Sequence, residues 1–227
     1  MAILAWDFDN TLAYRDGMWT RTLFELLRDH GFARITEEDI RPHFAKGFPW
    51  HRYGEAHRDY FLGRTWWEYT GTIIGNAMLA LGVDAADVAE LTAGFRRSYL
   101  DLTKWHLFDD TRTALGTALG KGHVNCIVSN HVPELKVLVD GLGISAYFAR
   151  IISSAEAGYE KPNPRIFDTL QEIRDGESQV FMIGDSYAAD IEGAIAAGIE
   201  GILVRSENKH AYPRHASDLS GIWQYID

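Results

Sequence analysis

The sequence predicts an α/β protein, a doubly wound parallel sheet with a small helical domain inserted after its first strand. Three observations lead there. Five short apolar runs each end abruptly at polar residues. Segments of helical period separate the later runs, so the strands must cross over and lie parallel. About 110 residues separate the first run from the second, far more than an ordinary crossover uses. The resulting arrangement is Rossmann-like, with all strand C-termini pointing to one edge.

The first run, Ala2-Ile3-Leu4-Ala5-Trp6, stops at Asp7-Phe8-Asp9-Asn10-Thr11-Leu12. A backbone of period two puts Asp7 and Asp9 on the same side. The long insert then reads as helical. Trp19, Leu23, Leu26 and Leu27 make one apolar face, with Gly31 as its stop. Thr36-Glu37-Glu38-Asp39 reads as a capped helix start. Trp66, Tyr69, Ile73, Ala77 and Leu81 keep helical spacing until Gly82 breaks it. Asp84 is placed to cap a further helix carrying Val88, Leu91, Phe95 and Tyr99. The expected division is a core of residues 1–14 and 101–227, with a helical domain over 15–100.

Within the insert, Phe48-Pro49-Trp50-His51-Arg52-Tyr53 reads either as a ligand-facing loop or as filling for a small core. Trp66 and Trp67 point in different directions on a helix, which puts one of them half exposed or at a lobe interface. His51 and His57 read as surface histidines without metal spacing, and Lys46 and Arg52 as solvated charges.

The second run, Val124-Asn125-Cys126-Ile127-Val128, ends at Ser129-Asn130. The third, Ala149-Arg150-Ile151-Ile152, leads into a loop carrying Lys161. The fourth, Val180-Phe181-Met182-Ile183, ends at Gly184-Asp185-Ser186, with Asp190 shortly after. The fifth, Gly201-Ile202-Leu203-Val204, ends at Arg205. Between them run the stripes Leu135, Leu138, Val139, Leu142; Ile166, Phe167, Leu170, Ile173; and Ile191, Ala194, Ile195, Gly198. The sheet edge should therefore gather Asp7, Asp9, Ser129, Lys161, Asp185 and Asp190.

That set has chemical content. Clustered carboxylates repel, so they need a cation or raised pKa values. Hard oxygen ligands favour Mg²⁺, which commonly shares a substrate phosphate oxygen. Ser129, Asn130 and Lys161 supply donors and positive charge for an anion, and the helix after Ser186 adds backbone N–H groups. Asn130 reads equally well as a cap for the segment from Val132. A metal, a lysine, a hydroxyl and a free carboxylate are what phosphoryl transfer through an aspartyl-phosphate requires.

Composition narrows the classes. A net charge of −10 without a basic cluster argues against a nucleic-acid polymer as partner, while a nucleotide remains open as a small substrate. No apolar run approaches the ~20 residues of a membrane span. The single cysteine, Cys126, sits in an apolar run and reads as a buried, inert thiol. The N-terminus has no basic region or cleavage site, so a soluble cytoplasmic protein is expected. No feature marks a subunit interface, which leaves oligomeric state open.

The residues also carry a family resemblance. Asp7-Phe8-Asp9-Asn10-Thr11 resembles the first motif, DxDxT, of the haloacid dehalogenase-like hydrolase superfamily. Ile127-Val128-Ser129-Asn130 resembles the second motif and Lys161-Pro162 the third. Gly184-Asp185-Ser186-Tyr187-Ala188-Ala189-Asp190 resembles the fourth, commonly GDSxxND, with Ala189 in place of the usual Asn. The resemblance implies a C1 cap in the insert and a Mg²⁺-dependent phosphatase acting on a small phosphorylated metabolite. It implies Asp7 as nucleophile and Asp9 as general acid and then base. It implies Thr11, Ser129, Asn130 and Lys161 on the substrate side, Thr11 by holding the motif loop. Asp7, the backbone carbonyl of Asp9, Asp185 and Asp190 are the implied metal set. A phosphomutase shares all four motifs, a haloacid dehalogenase shares the nucleophile but does not need Asp9, and a catalytically silent binding or regulatory protein could keep the fold.

Overall fold

β1 (Ala2–Trp6) is the hub of the computed structural model, which describes residues 1–57, 64–170, 172, 173, 176 and 178–226. It lies between β4 (Val124–Ser129) and β6 (Gln179–Gly184) and runs parallel to both. β5 (Arg150–Ser153) continues the sheet beyond β4, and β7 (Glu200–Val204) and β8 (His215–Ala216) continue it beyond β6. All five pairings of this six-stranded sheet are parallel. The chain leaves β1 for strands on both of its sides, which makes the C-terminal end of β1 the switch point where ligands bind. Every residue of β1 is buried. Leu4 and Trp6 pack into one core layer, Ile3 and Ala5 into the other. Burial on both faces is why these strands read as unbroken apolar runs.

Asn125 is the polar exception in that core. Its Oδ1 accepts the Trp6 indole N–H at 3.0 Å, and its Nδ2 donates to the carbonyls of Leu115 (3.1 Å) and Tyr147 (3.3 Å). α5 (Thr111–Gly120) and α6 (Leu135–Gly141) cover the layer containing Trp6. Ile166, Phe167, Leu170 and Ala194 cover the other.

The insert leaves and re-enters through a short ladder that the residue pattern did not suggest, β2 (Ala13–Tyr14) antiparallel to β3 (His106–Leu107). Between them run α1 (Met18–Asp29), α2 (Glu37–Phe44), α3 (Arg64–Ala80) and α4 (Ala85–Tyr99). The expected punctuation is present. Thr36 and Asp39 form a reciprocal capping box, and Asp84 accepts from the Ala86 N–H at 2.9 Å. Gly31 and Gly82 take left-handed backbone angles at helix ends. The buried face of α3 is Trp66, Thr70, Ile74, Ala77 and Met78, offset from the expected stripe through Tyr69 and Ile73. Thr70 explains the offset: its hydroxyl donates to the Trp66 carbonyl at 3.0 Å, so a residue counted as polar is buried.

Two further departures concern the later helices. Ile166, Phe167 and Leu170 lie on 3₁₀ turns over Pro164–Leu170 rather than on an α-helix. Tyr187–Glu192 winds as a π-helical turn before α7 (Gly193–Ala196). The extra residue in that turn rotates the following face, so Ile191 and Ala194 are buried while Ile195 is 57% exposed. Cys126 is buried, and burial pushes its thiol up to about 11, as an inert core cysteine requires. Among the described residues no helix is long and apolar enough to cross a membrane.

The Asn125 network makes a stability prediction. Asn125→Ala strands the Trp6 N–H and two carbonyls in the core, and should lower unfolding stability by about 3 kcal/mol. Urea unfolding of the two proteins measures it, and a midpoint equal to wild type would show that the network contributes nothing net.

Candidate active site

Asp7 follows β1 directly, and its N–H extends the ladder by donating to the Ile183 carbonyl at 2.8 Å. The chain then turns tightly, with the Phe8 carbonyl accepting from Leu12 and Ala13 and Asn10 in the left-handed region. Asp7 and Asp9 both line a cavity of about 330 Å³ at the C-terminal edge of the sheet. Ser129 and Asn130 reach it from the end of β4, Lys161 from the loop after β5, and Asp185 and Ser186 from the end of β6. On the side of the insert the cavity is lined by Met18, Trp19 and Trp50.

Lys161 is the buried centre of the site. Its Nζ lies 2.8 Å from Asp7 Oδ1 and 2.6 Å from Asp190 Oδ1. Its backbone is clamped by Asn130, whose Oδ1 accepts the Lys161 N–H at 2.6 Å and whose Nδ2 donates to the Lys161 carbonyl at 2.8 Å. Asp190 is fully buried, and its Oδ2 accepts the Ser186 N–H at 2.9 Å. Gly184 makes that possible, because a Cβ there would overlap the Asp190 carboxylate.

The electrostatics follow from burial and crowding. Burial alone would lower the pKa of Lys161, but Asp190 and Asp7 outweigh it, and the ammonium stays charged. Asp9 is raised well above the usual carboxylate range, first by burial and then by repulsion from Asp7 and Asp185. Burial, with repulsion from Asp7 and Asp190, lifts Asp185 to about 7. Burial lifts Asp190 to about 6 against the opposing pull of Lys161. One lysine does not neutralise four aspartates. Asp7, Asp185 and Asp190 each offer an oxygen, all within 4.8 Å of one another. This all-oxygen, under-compensated donor set fits a hard divalent cation such as Mg²⁺. Both oxygens of Asp190 are already engaged by Lys161 and Ser186, which leaves Asp7 and Asp185 as the freer ligands.

The structure thus brings Asp7, Asp9, Ser129, Lys161, Asp185 and Asp190 to one edge, and it sharpens several expectations. Thr11 does not line the cavity; it is fully buried, and its hydroxyl donates to Asp185 Oδ1 at 3.4 Å. Its carbonyl accepts from Arg205 Nε at 2.9 Å, so the residue that ends β7 helps fix the motif loop. Asn130 borders the cavity, yet both ends of its amide hold Lys161, and it does not cap the segment from Val132. Two of the backbone donors expected after Ser186 are used within the loop: Ser186 N–H by Asp190, and Ala189 N–H by the Ser186 hydroxyl at 3.2 Å. The aromatic stretch divides between its two readings. Phe48 is fully buried, Trp50 lines the cavity and Tyr53 is exposed. Trp67 stands at the lobe interface, its indole N–H donating to the Glu134 carboxylate. His57 is buried rather than superficial, and Lys46 and Arg52 do not line the cavity.

His131 went unnoticed in the sequence. Its buried ring places Nε2 3.6 Å from Asp9 Oδ1, and burial pushes its pKa down to about 4, so it stays neutral. Ser129 and His131 are two residues apart, which was the available signal.

A carboxylate-lined cavity at the switch point of a doubly wound sheet is the mark of an α/β enzyme. The chain belongs to the haloacid dehalogenase-like hydrolase family, whose model matches residues 1–198. It is 26% identical over 207 residues to haloacid dehalogenase-like hydrolase domain-containing protein 3 of Homo sapiens, covering 89% of this chain and 81% of that protein. It is 34% identical over 111 residues to glyceraldehyde 3-phosphate phosphatase of Methanothermobacter thermautotrophicus, covering 48% of this chain and 49% of that protein. In fold it matches YfnB of Bacillus subtilis, a chain assigned to the HAD hydrolases and solved with magnesium. The TM-score is 0.72 at 21% identity, covering 99% of this chain and 98% of that one.

Glu160, next to Lys161, gives a test of burial beside the site. It is 2% exposed, and burial raises its carboxyl from 4.5 to about 7. Below about pH 4.5 the group is protonated folded or unfolded and contributes no pH dependence. As pH rises toward 7 only the unfolded chain ionises freely, so stability falls across that window, by at most about 3 kcal/mol. Glu160→Gln should remove this loss. Urea unfolding of both proteins at pH 5, 6, 7 and 8 should show curves that diverge with pH; parallel profiles would count against a raised Glu160.

Proposed function

We propose that this hydrolase is a Mg²⁺-dependent phosphatase that acts on a small phosphorylated metabolite through an aspartyl-phosphate on Asp7. The observation that carries the reading is the placing of two unlike acids in one cavity: Asp7, 2.8 Å from the Lys161 ammonium, and Asp9, whose pKa burial raises. The likeness of half the chain to a glyceraldehyde 3-phosphate phosphatase supports a phosphate ester as substrate.

In this reading an Asp7 carboxylate oxygen attacks phosphorus, and Asp9 gives its proton to the departing ester oxygen. Asp9, now ionised, takes a proton from water as that water attacks the aspartyl-phosphate and frees Asp7. Lys161 and Ser129 face the phosphoryl oxygens; the Ser129 hydroxyl is buried and has no hydrogen-bond partner among the described residues. Asn130 and Asp190 position Lys161, and Thr11 orients Asp185. A Mg²⁺ held by Asp7, Asp185 and the Asp9 carbonyl, with Asp190 behind them, would offset charge on the phosphoryl oxygens. The second acid, Asp9, favours phosphatase over dehalogenase, whose chemistry has no need of it.

Asp7→Asn should fold as wild type and lose phosphate release by about 10³-fold or more, because an amide forms no acyl-phosphate. Phosphate-release assays on a panel of phosphorylated metabolites, with chelator and with Mg²⁺ restored, test the reading. Full activity in the mutant, or full activity without any divalent ion, would reject it.

Asp9→Asn separates the proton roles. Turnover of an alkyl phosphate should fall by about 10²–10⁴-fold, since its leaving oxygen needs a proton. A p-nitrophenyl ester leaves without one, so the mutant should release a burst of nitrophenol and then slow as the Asp7 phosphate waits for a base. Equal loss on both esters with no burst would assign Asp9 to loop geometry instead.

A further inference from the structure

The two walls of the cavity differ in kind. Every charged group among its described lining residues comes from the sheet edge. Among the described lining residues, the insert contributes only Met18, Trp19 and Trp50, none of them charged. Among the described lining residues Lys161 is the one cation, and it is spent between Asp7 and Asp190; Arg52, close in sequence to Trp50, pairs with Glu55 and the Tyr69 hydroxyl. The wall facing the leaving group is therefore apolar and aromatic.

That wall is also rigid. Trp50 stacks on the buried Phe48 with centroids 4.5 Å apart and planes 6° from parallel. Trp19 stands 5.4 Å from Trp50 at 50° to it, forming an angled pair of indoles. Behind it, Trp19 stacks on Phe95 at 5.3 Å and packs on Tyr99 at 4.8 Å. Held rings of this sort bind flat partners with little loss of side-chain entropy.

The backbone at this wall carries strain. Gly17 and Met18 are both left-handed, with φ of 61° and 44°. Met18 is held there by its carbonyl, which accepts from the Thr22 hydroxyl at 2.7 Å, and that hydroxyl in turn accepts from Arg15 Nε at 3.0 Å. A strained non-glycine residue kept in place by a buried polar chain, at the mouth of a reactive cavity, marks a residue positioned for ligand contact.

We propose that the leaving group of the substrate carries a flat aromatic or heteroaromatic ring, and that the ring packs against the Trp19–Trp50 wall. This rests on the phosphatase reading and names the class of ester within it. A nucleoside 5′-monophosphate and an aryl-alkyl phosphate share this chemistry.

Matched esters test it, because each pair differs in the ring and keeps similar ester chemistry. The first pair is uridine 5′-monophosphate against ribose 5-phosphate, the second benzyl phosphate against cyclohexylmethyl phosphate. With Mg²⁺ present, kcat/KM should favour the ring-bearing member of at least one pair by about 10-fold or more, carried mainly by KM. Preference in the first pair alone assigns a nucleoside, and in the second alone an aryl group. Trp50→Leu should bring the ratio to within about threefold of unity, and Trp50→Phe should restore it. The wild-type ratios read the proposal even if Trp50→Leu fails to fold. Ratios near one in both pairs, with the esters still hydrolysed, overturn this proposal and leave the phosphatase reading standing. A preference that Trp50→Leu does not change overturns the assignment to this wall. No hydrolysis of any of the four, nor of p-nitrophenyl phosphate, overturns both.

Discussion

The ammonium of Lys161, buried between Asp7 and Asp190, is the contact on which the rest of the site depends. Moving an ammonium out of water costs several kcal/mol unless close carboxylates and further hydrogen bonds offset it. Here both carboxylates stand within 2.8 Å, and Asn130 grips the lysine backbone from both directions. Meeting that requirement ties the strand ends together. β1 must lie between β4 and β6 so that Asp7, Asn130 and the Asp190 loop converge. Gly184 must lack a side chain so that Asp190 can tuck beneath the end of β6. A lysine held charged in this way is no base. The proton traffic of the proposed reaction therefore falls to Asp9, one of the two carboxylates that Lys161 does not grip, the other being Asp185 of the proposed metal set.

The insert is joined to this edge by polar contacts. Trp67 and Arg96 both reach Glu134, Asn163 Nδ2 donates to the Tyr53 carbonyl at 2.9 Å, and the His57 N–H donates to the Gly158 carbonyl at 3.1 Å. Apolar packing joins them as well: Tyr99 packs on Trp105 and Trp105 on Phe8, in one hydrophobic cluster that runs from the insert into the core. The aromatic cluster around Trp19 holds the insert's own interior. The two parts thus divide the work: fixed charge on the sheet edge, and shape and apolar surface on the lobe above it.

Much of this was legible in the sequence, for reasons that particular residues show. β1, β4, β6 and β7 are apolar on successive residues because both faces are covered, and each stops at the polar residues that line or support the cavity. Helix punctuation at Thr36, Asp84, Gly31 and Gly82 is local chemistry and so was readable. What escaped depends on distance. The partner of Asn130 lies 31 residues away, so nothing nearby distinguished a clamp on Lys161 from a helix cap. The buried face of α3 was hidden by Thr70, whose hydroxyl is satisfied within its own helix. Ile195 was misplaced because a π turn shifts the helical phase. Two-residue strands such as β2, β3 and β8 are too short to leave a period. The split between Phe48 and Trp50 depends on ring contacts with Trp19, some thirty residues away, which no local pattern reveals.

Asp9 connects the two halves of the molecule. Its raised pKa owes most to burial, and residues from both parts supply that burial. Phe8 and His131 come from the sheet edge, their rings edge to face at 5.4 Å; Tyr99 comes from α4, its ring 6.1 Å from that of His131. None of these neighbours brings a formal charge near neutral pH: burial keeps the His131 ring unprotonated and the Tyr99 hydroxyl un-ionised. Among its described residues, the insert therefore influences Asp9 without placing a charged group in the cavity. It does so through Tyr99, whose ring belongs to the crowding that raises the Asp9 pKa, so the aromatic lobe that would select a leaving group also bears on the acid beside it.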